Sequence, residues 1–124
     1  MIDFKNSSFV ALSRVKDSEY EAMVQPLFVE GEEIIQTFKS IRDGIVFTTK
    51  RIITINVQGF TGKKKDFTSM PYSKIQMLSV ETAGTFELDS ELVLWFSGVG
   101  CVKFEFRSDA DITGICRTRS NYVL

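Results

Sequence analysis

The feature that most constrains this chain is an alternation of apolar and polar residues that continues from residue 33 to residue 107. It is clearest at its end, where Val102, Phe104 and Phe106 alternate with charged residues. Successive side chains of a β-strand point to opposite faces, so a period of two indicates strands that each turn one face to a core. The alternation therefore predicts a mainly β domain.

Turn-forming residues divide this region into seven predicted strands with short connections between them. Short connections favour antiparallel neighbours, because a parallel pair needs a crossover of a dozen residues or more. The seven strands are expected at residues 33–41, 44–49, 50–57, 63–70, 75–82, 91–97 and 101–107.

After Arg107 the period changes from two to that of a helix. Ser108 and Asp111 resemble a capping box, and apolar residues then recur at spacings of three and four. This pattern predicts an amphipathic C-terminal helix over residues 109–122, which must pack on one end of a curved sheet. Five residues from the last strand and the helix are expected in one core: Val102, Phe104, Phe106, Ile112 and Ile115.

Residues 1–32 precede the alternation and are interpreted as an N-terminal extension of a domain formed by residues 33–124. Ser18 and Glu21 form a capping box, which predicts a short helix that ends near Pro26. The apolar face of this helix is expected to hold Tyr20, Met23, Val24 and Leu27.

The sequence contains no histidine, which excludes Ser/His/Asp and Cys/His catalysis and His-ligated metal sites. Its acids form no convincing acid/base pair, and two cysteines, Cys101 and Cys116, cannot close a zinc site and are interpreted as free thiols. We therefore predict a non-enzymatic protein with no catalytic residue, metal site or cofactor. No apolar run approaches the ~20 residues of a membrane span, and no signal-peptide pattern begins the sequence, which favours a cytoplasmic protein.

The charges are balanced overall but segregated along the chain. A net charge of −1 argues against nucleic-acid binding. Residues 17–33 hold six acids and no base, residues 81–91 hold four acids, and residues 39–65 hold seven bases and one acid. Such blocks suit solvated faces, an anionic partner or a second copy of the chain. The candidate anion-binding residues are the seven bases of the middle block: Lys39, Arg42, Lys50, Arg51, Lys63, Lys64 and Lys65.

The sixth predicted strand is apolar on both faces. Leu92, Leu94 and Phe96 share one face, and Val93 and Trp95 share the other. Only one face of a barrel strand points to the core, so either the N-terminal extension or another subunit must cover the second face. Val93 and Trp95 are therefore the candidate residues of an oligomer interface.

Seven antiparallel strands followed by an amphipathic helix form the outline of the pleckstrin homology (PH) superfold, and several segments resemble a bacterial family of PH-like domains. These segments are IRDG at 41–44, VFTTKRII at 46–53, GFTGKK at 59–64, MPY at 70–72, SVETAG at 79–84, FELD at 86–89, EL at 91–92 with Trp95, and SNYVL at 120–124. The resemblance implies a barrel of two orthogonally packed sheets capped by the C-terminal helix. It also implies homo-oligomers that include rings, and no known enzymatic activity.

Eukaryotic PH domains that bind phosphoinositides use a long basic loop between their first two strands. The corresponding segment here is a short turn, Arg42-Asp43-Gly44, which carries an acid among its bases. We therefore expect no specific phosphoinositide binding.

The sequence favours a non-catalytic binding and self-assembly module. The alternative is a membrane-surface or anionic-ligand module that uses the basic block 39–65, with weak contact to the membrane surface.

Overall fold

A computed structural model describes residues 8–41, 43–58, 63–81 and 90–107 of the chain. The C-terminal helix expected at 109–122, with Ile112, Ile115 and Cys116, lies outside the described residues, and so does Arg42.

The described chain contains eight strands, one short α-helix and two 3₁₀ turns. In chain order they are β1 Ser8–Val15, α1 Ser18–Val24, a 3₁₀ turn Gln25–Leu27, β2 Ile34–Lys39, β3 Gly44–Thr48, β4 Arg51–Gln58, β5 Lys64–Pro71, a 3₁₀ turn Tyr72–Lys74, β6 Ile75–Glu81, β7 Ser90–Phe96 and β8 Gly100–Phe106. All seven strands predicted from the alternation are present as β2 to β8, with bounds within two residues of those expected.

The strands form one sheet in the order β5-β4-β3-β2-β1-β8-β7-β6. The prediction of seven strands, all antiparallel, was wrong in one respect: the extension adds an eighth strand, β1, which pairs parallel to β8 and antiparallel to β2. The sequence hides β1 because its register shifts between Phe9 and Leu12, and Ala11 lies there with a φ of 55°. Both Phe9 and Leu12 reach the core in spite of their odd spacing, so no period of two is visible.

The core lies between the two halves of this curved sheet and confirms the barrel architecture. Phe38 on β2 and Phe106 on β8 stand edge to face, with ring centroids 4.8 Å apart. Val102, Phe104 and Phe106 are fully buried in the same core, as predicted. The same cluster holds Ile52 and Met70 of β4 and β5 together with Ile75 and Leu94 of β6 and β7, so strands from opposite ends of the sheet face one interior.

A second, smaller core lies beneath α1, on the outer side of β3 and β4. Tyr20 and Val24 of the helix are buried there against Val46, Ile53 and Ile55. This contact explains why every residue of β3 is buried: one face lies in the barrel and the other lies under the helix.

The details of α1 differ from the predicted capping box and apolar face. Asp17 is the N-cap residue and makes no side-chain cap, because its carboxylate accepts a hydrogen bond from the Thr37 hydroxyl at 3.1 Å. Met23 and Leu27 are 38% and 42% exposed, so the buried face consists of Tyr20 and Val24 alone. Because α1 has only seven residues, only one pair of its side chains, spaced four positions apart along the helix, packs on the sheet.

Candidate interaction surface

The outward face of β6, β7 and β8 is the surface on which the candidate interface residues lie. The strand register arranges this face in three rows: Met77–Trp95–Cys101, Ser79–Val93–Lys103 and Glu81–Glu91–Glu105. The first row is apolar, the third is acidic, and Lys103 approaches Glu91 to 3.8 Å. We call the first row together with Val93 the Trp95 face.

Burial along β7 follows the predicted alternation. Leu92 and Leu94 are completely buried and point into the barrel, whereas Val93 and Trp95 on the opposite side are half-buried. Met77, the neighbour of Trp95 on β6, is 56% exposed. Met77 was not predicted from the sequence, although its position two residues before Ser79 on an alternating strand indicates an outward side chain.

The described part of the extension packs on other strands. β1 pairs with β2 and β8, and the buried side chains of α1 pack on the outer side of β3 and β4. The main contacts of residues 8–32 thus lie on β2, β3, β4 and β8, and residues 1–7 of the extension lie outside the described residues.

The candidate anion-binding bases that the structure describes do not converge on one point. Lys50 and Arg51 lie at the start of β4, whereas Lys64 and Lys65 pair with the end of β4. Seven residue steps separate the two ends of β4, or roughly 23 Å at 3.3 Å per step. A single small anion therefore cannot contact both groups.

Arg51 is held by groups of its own chain. Its Nε and Nη2 atoms donate to the two carboxylate oxygens of Glu32, each at 2.9 Å, while Nη1 donates to the Ser69 hydroxyl and Nη2 also to the Leu27 carbonyl. The Glu32 side chain is fully buried. Burial alone raises the pKa of this carboxyl, but hydrogen bonds from Arg51 and Thr48 outweigh burial and hold the pKa below its usual value.

Lys39 is also paired within the chain. Its ammonium lies 2.9 Å from the carboxylate of Glu19 on α1, and this hydrogen bond raises the pKa of Lys39. The pairs Glu19–Lys39 and Glu32–Arg51 join the acidic segment 17–33 to the basic block inside one molecule. These four residues therefore do not supply the pairing between copies that the segregated charges suggested.

Four candidate bases among the described residues are exposed to solvent, whereas Arg51 and Lys39 are paired with acids of the same chain. The four exposed bases are Lys50, Lys63, Lys64 and Lys65. Lys63 to Lys65 lie at and just before the start of β5, an edge of the sheet, where lysines commonly prevent edge-to-edge aggregation.

Two further properties concern the described part of the chain. No group of three or more cysteine or acidic side chains is arranged there to hold a metal ion. None of the helices there has the length and apolar character needed to cross a membrane.

Comparison with known proteins gives a consistent family match. The model of the bacterial PH domain family matches residues 3–123. Uncharacterized protein YjqA of Bacillus subtilis (strain 168) is 50% identical over 91 residues, which cover 72% of this chain and 73% of YjqA. Uncharacterized protein YozO of the same organism is 33% identical over 105 residues, which cover 85% of this chain and 88% of YozO.

Solved structures agree with this match. A DUF1696 family protein with a pleckstrin-homology domain from Shewanella loihica PV-4 superimposes with a TM-score of 0.81 at 39% identity, covering 93% of this chain and 99% of that one. A pleckstrin homology domain from Shewanella amazonensis SB2B gives a TM-score of 0.66 at 42% identity, covering 90% and 91% of the two chains.

Proposed function

The chain belongs to the bacterial PH domain family, and we propose that it is a non-catalytic binding and self-assembly module that forms homo-oligomers. The observation that carries this proposal is the Trp95 face. Trp95 and Val93 lie outward on β7 and are partly exposed, and the adjoining Met77 is 56% exposed. These adjoining side chains supply the apolar surface that the proposed contact buries.

Covering this face stabilises an assembly. Each Å² of apolar surface removed from water contributes about 25 cal/mol, so burying the exposed parts of Trp95, Val93 and Met77 contributes on the order of 2 kcal/mol per copy. When the rotation between neighbouring copies closes a ring, the same contribution is repeated at every interface of the ring. The acidic row of Glu81, Glu91 and Glu105 beside the patch gives the contact a polar rim.

A membrane-surface or anionic-ligand module is the second candidate, and the observation that favours it is the exposed run Lys63 to Lys65. Three exposed lysines attract anionic surfaces through charge alone, without recognising a particular head group. Arg51 and Lys39 strengthen this candidate little, because both are paired with acids of the same chain.

The test is the solution mass of variants in the Trp95 face. We expect Trp95→Glu and Met77→Glu to lower the mass measured by light scattering, because a carboxylate in an apolar contact must be desolvated. Met77 is more than half exposed, so its replacement leaves the barrel core intact. Ile41→Glu is the matched control, since Ile41 is 94% exposed and lies away from β7.

A wild-type chain that is already monomeric at high micromolar concentration contradicts self-assembly altogether. An oligomeric wild type whose mass is unchanged by both Trp95→Glu and Met77→Glu contradicts the choice of surface.

A further inference from the structure

A row of oxygen-bearing side chains spans three neighbouring strands at one end of the barrel. Asn56 on β4 pairs with Asp66 on β5, and Asp43 directly precedes β3. The Oδ1 atom of Asp43 accepts a hydrogen bond from the amide of Val57, the residue after Asn56, at 3.1 Å. Asp43, Asn56 and Asp66 therefore lie side by side, and we call them the Asn56 row.

All three members of the Asn56 row face the barrel interior. Side chains alternate between the two faces of a strand, and Ile55 lies in the core beneath α1, so Asn56 faces the other way. Asp66 shares this face because it lies opposite Asn56. Gly44 faces α1, where an added Cβ atom overlaps a side chain of the helix, so the preceding residue Asp43 also faces the barrel.

Buried oxygens at this end of the barrel lack the hydrogen bonds that buried polar groups normally make. Thr54, two residues before Asn56 on the same face, is 0% exposed, and its hydroxyl has no hydrogen-bond partner among the described residues. The same holds for the buried Oδ1 atom of Asn56, and the Oδ2 atom of Asp66 is buried on the same face. Native proteins pair nearly all buried polar atoms, so such exceptions indicate a bound water or ion. The two carboxylates of the row favour a cation.

We propose that the Asn56 row binds a calcium ion. The carboxylates of Asp43 and Asp66 and the amide oxygen of Asn56 are the ligands, and the Thr54 hydroxyl, one row deeper, holds a water of the coordination shell. All these donors are oxygens, which suit a hard cation and not zinc or copper. The ion is a ligand of the barrel side of the sheet, so the inference is independent of the contact proposed for the Trp95 face.

The spacing of the strands selects calcium over magnesium. Two strand separations of about 4.8 Å place the Cβ atoms of Asp43 and Asp66 roughly 10 Å apart. When both carboxylates lean toward Asn56, their oxygens come within roughly 5 Å of each other. Two Ca–O bonds of about 2.3–2.6 Å fill this span, whereas two Mg–O bonds of about 2.0–2.1 Å fall short of it.

The charge of the row predicts a weak site. Two carboxylates balance the charge of the ion, and the other donors are neutral, which is typical of a Kd on the order of 0.1–1 mM. Lys64 lies two residues before Asp66 on the same face, but it is exposed and its charge is screened by solvent. The sequence predicted no metal site, since Asp43 and Asp66 lie far apart in the chain and only the strand register brings them together.

The test is calorimetric titration of the full chain, stripped of metals with a chelator, with calcium chloride. We expect Asp66→Asn and Asp43→Asn each to weaken calcium binding at least tenfold, because each removes one of the two charges and keeps the size of the side chain. The amide oxygen in Asp43→Asn still accepts the hydrogen bond from Val57. Thr54→Val, which removes only the hydroxyl, is expected to weaken binding about threefold.

Glu91→Gln is the matched control, because Glu91 lies in the acidic row on the outer face of the sheet. We expect it to leave calcium binding unchanged. Circular dichroism confirms that each variant is folded, and calcium should raise the urea midpoint of wild type but not that of Asp66→Asn.

Each alternative outcome overturns a defined part of the inference. No binding by wild type at about 10 mM calcium, tenfold above the expected Kd, overturns the site. Binding that is lost in Glu91→Gln and kept in Asp43→Asn and Asp66→Asn assigns the ion to the outer acidic row. Equal affinity for magnesium overturns the choice of calcium, and an unchanged affinity in Thr54→Val overturns the role given to its hydroxyl.

Discussion

Arg51 and Glu32 form a bidentate ion pair that fastens the N-terminal extension to the barrel. Arg51 begins β4, and Glu32 closes the segment between the 3₁₀ turn after α1 and β2. Thr48 adds a hydrogen bond of 2.6 Å from its hydroxyl to the same carboxylate. Because the Glu32 side chain is fully buried and the Arg51 side chain is 18% exposed, solvent screens this pair little. The extension is therefore anchored at this point as well as by β1.

Glu32→Gln is expected to destabilise the protein by about 3 kcal/mol, because it leaves the buried part of Arg51 without its countercharge. The measurement is the urea midpoint followed by tryptophan fluorescence or circular dichroism. Glu30→Gln, at an exposed position in the same segment, is the matched control and is expected to leave the midpoint unchanged. A loss below about 0.5 kcal/mol for Glu32→Gln contradicts a stabilising role for the pair.

The contribution of Glu32 is expected to depend on pH. The pKa of Glu32 in the folded protein lies below its ordinary value of 4.5, so folding favours the ionised form. Its stabilising effect is therefore present above pH 4.5 and is lost as the pH falls through the folded-state pKa. The difference in urea midpoint between wild type and Glu32→Gln should be largest near neutral pH and should shrink in acid. A difference that grows in acid contradicts the assigned direction.

Gly44→Ala is expected to cost about 1–3 kcal/mol of folding stability. A Cβ atom at Gly44 overlaps the hydroxyl end of the ring of Tyr20, which is buried in the core beneath α1. In a Tyr20→Ala background the same substitution should cost far less, because the obstructing ring is gone. A double-mutant cycle by urea unfolding measures this coupling, and additive effects contradict the contact.

Phosphoinositide recognition is expected to be absent. The turn before β3 contains Asp43, which is tied to the backbone by accepting a hydrogen bond from the Val57 amide at 3.1 Å. Binding to anionic vesicles through Lys63, Lys64 and Lys65 should be weak, blind to the head group and strongly reduced by salt. Vesicle co-sedimentation with different inositol lipids measures this. Micromolar binding that discriminates between inositol phosphates at physiological salt contradicts it.

Seven of the eight strands follow from the sequence, most directly where side chains alternate between buried and half-buried positions, as in β7 from Ser90 to Phe96. β3 follows from its bounding turn residues, because both of its faces are buried. β1 does not follow, since the shift between Phe9 and Leu12 removes the period that identifies a strand. Val93 and Trp95 of the Trp95 face were predicted because β7 is apolar on both sides, whereas Met77, which lies on the neighbouring strand, was not. The role of Arg51 was not, because a basic residue in a basic block gives no sign of a buried acid that lies nineteen residues earlier.

The solution mass of the unmodified chain tests the central claim, self-assembly through apolar surface, most directly. Light scattering at high micromolar concentration should give a multiple of the chain mass of 14.1 kDa. Apolar contacts are not screened by ions, so the multiple should persist when the salt concentration is raised to about 0.5 M. A mass of one chain under these conditions contradicts the claim. An assembly that dissociates when the salt concentration is raised assigns the contact to charge rather than to the Trp95 face.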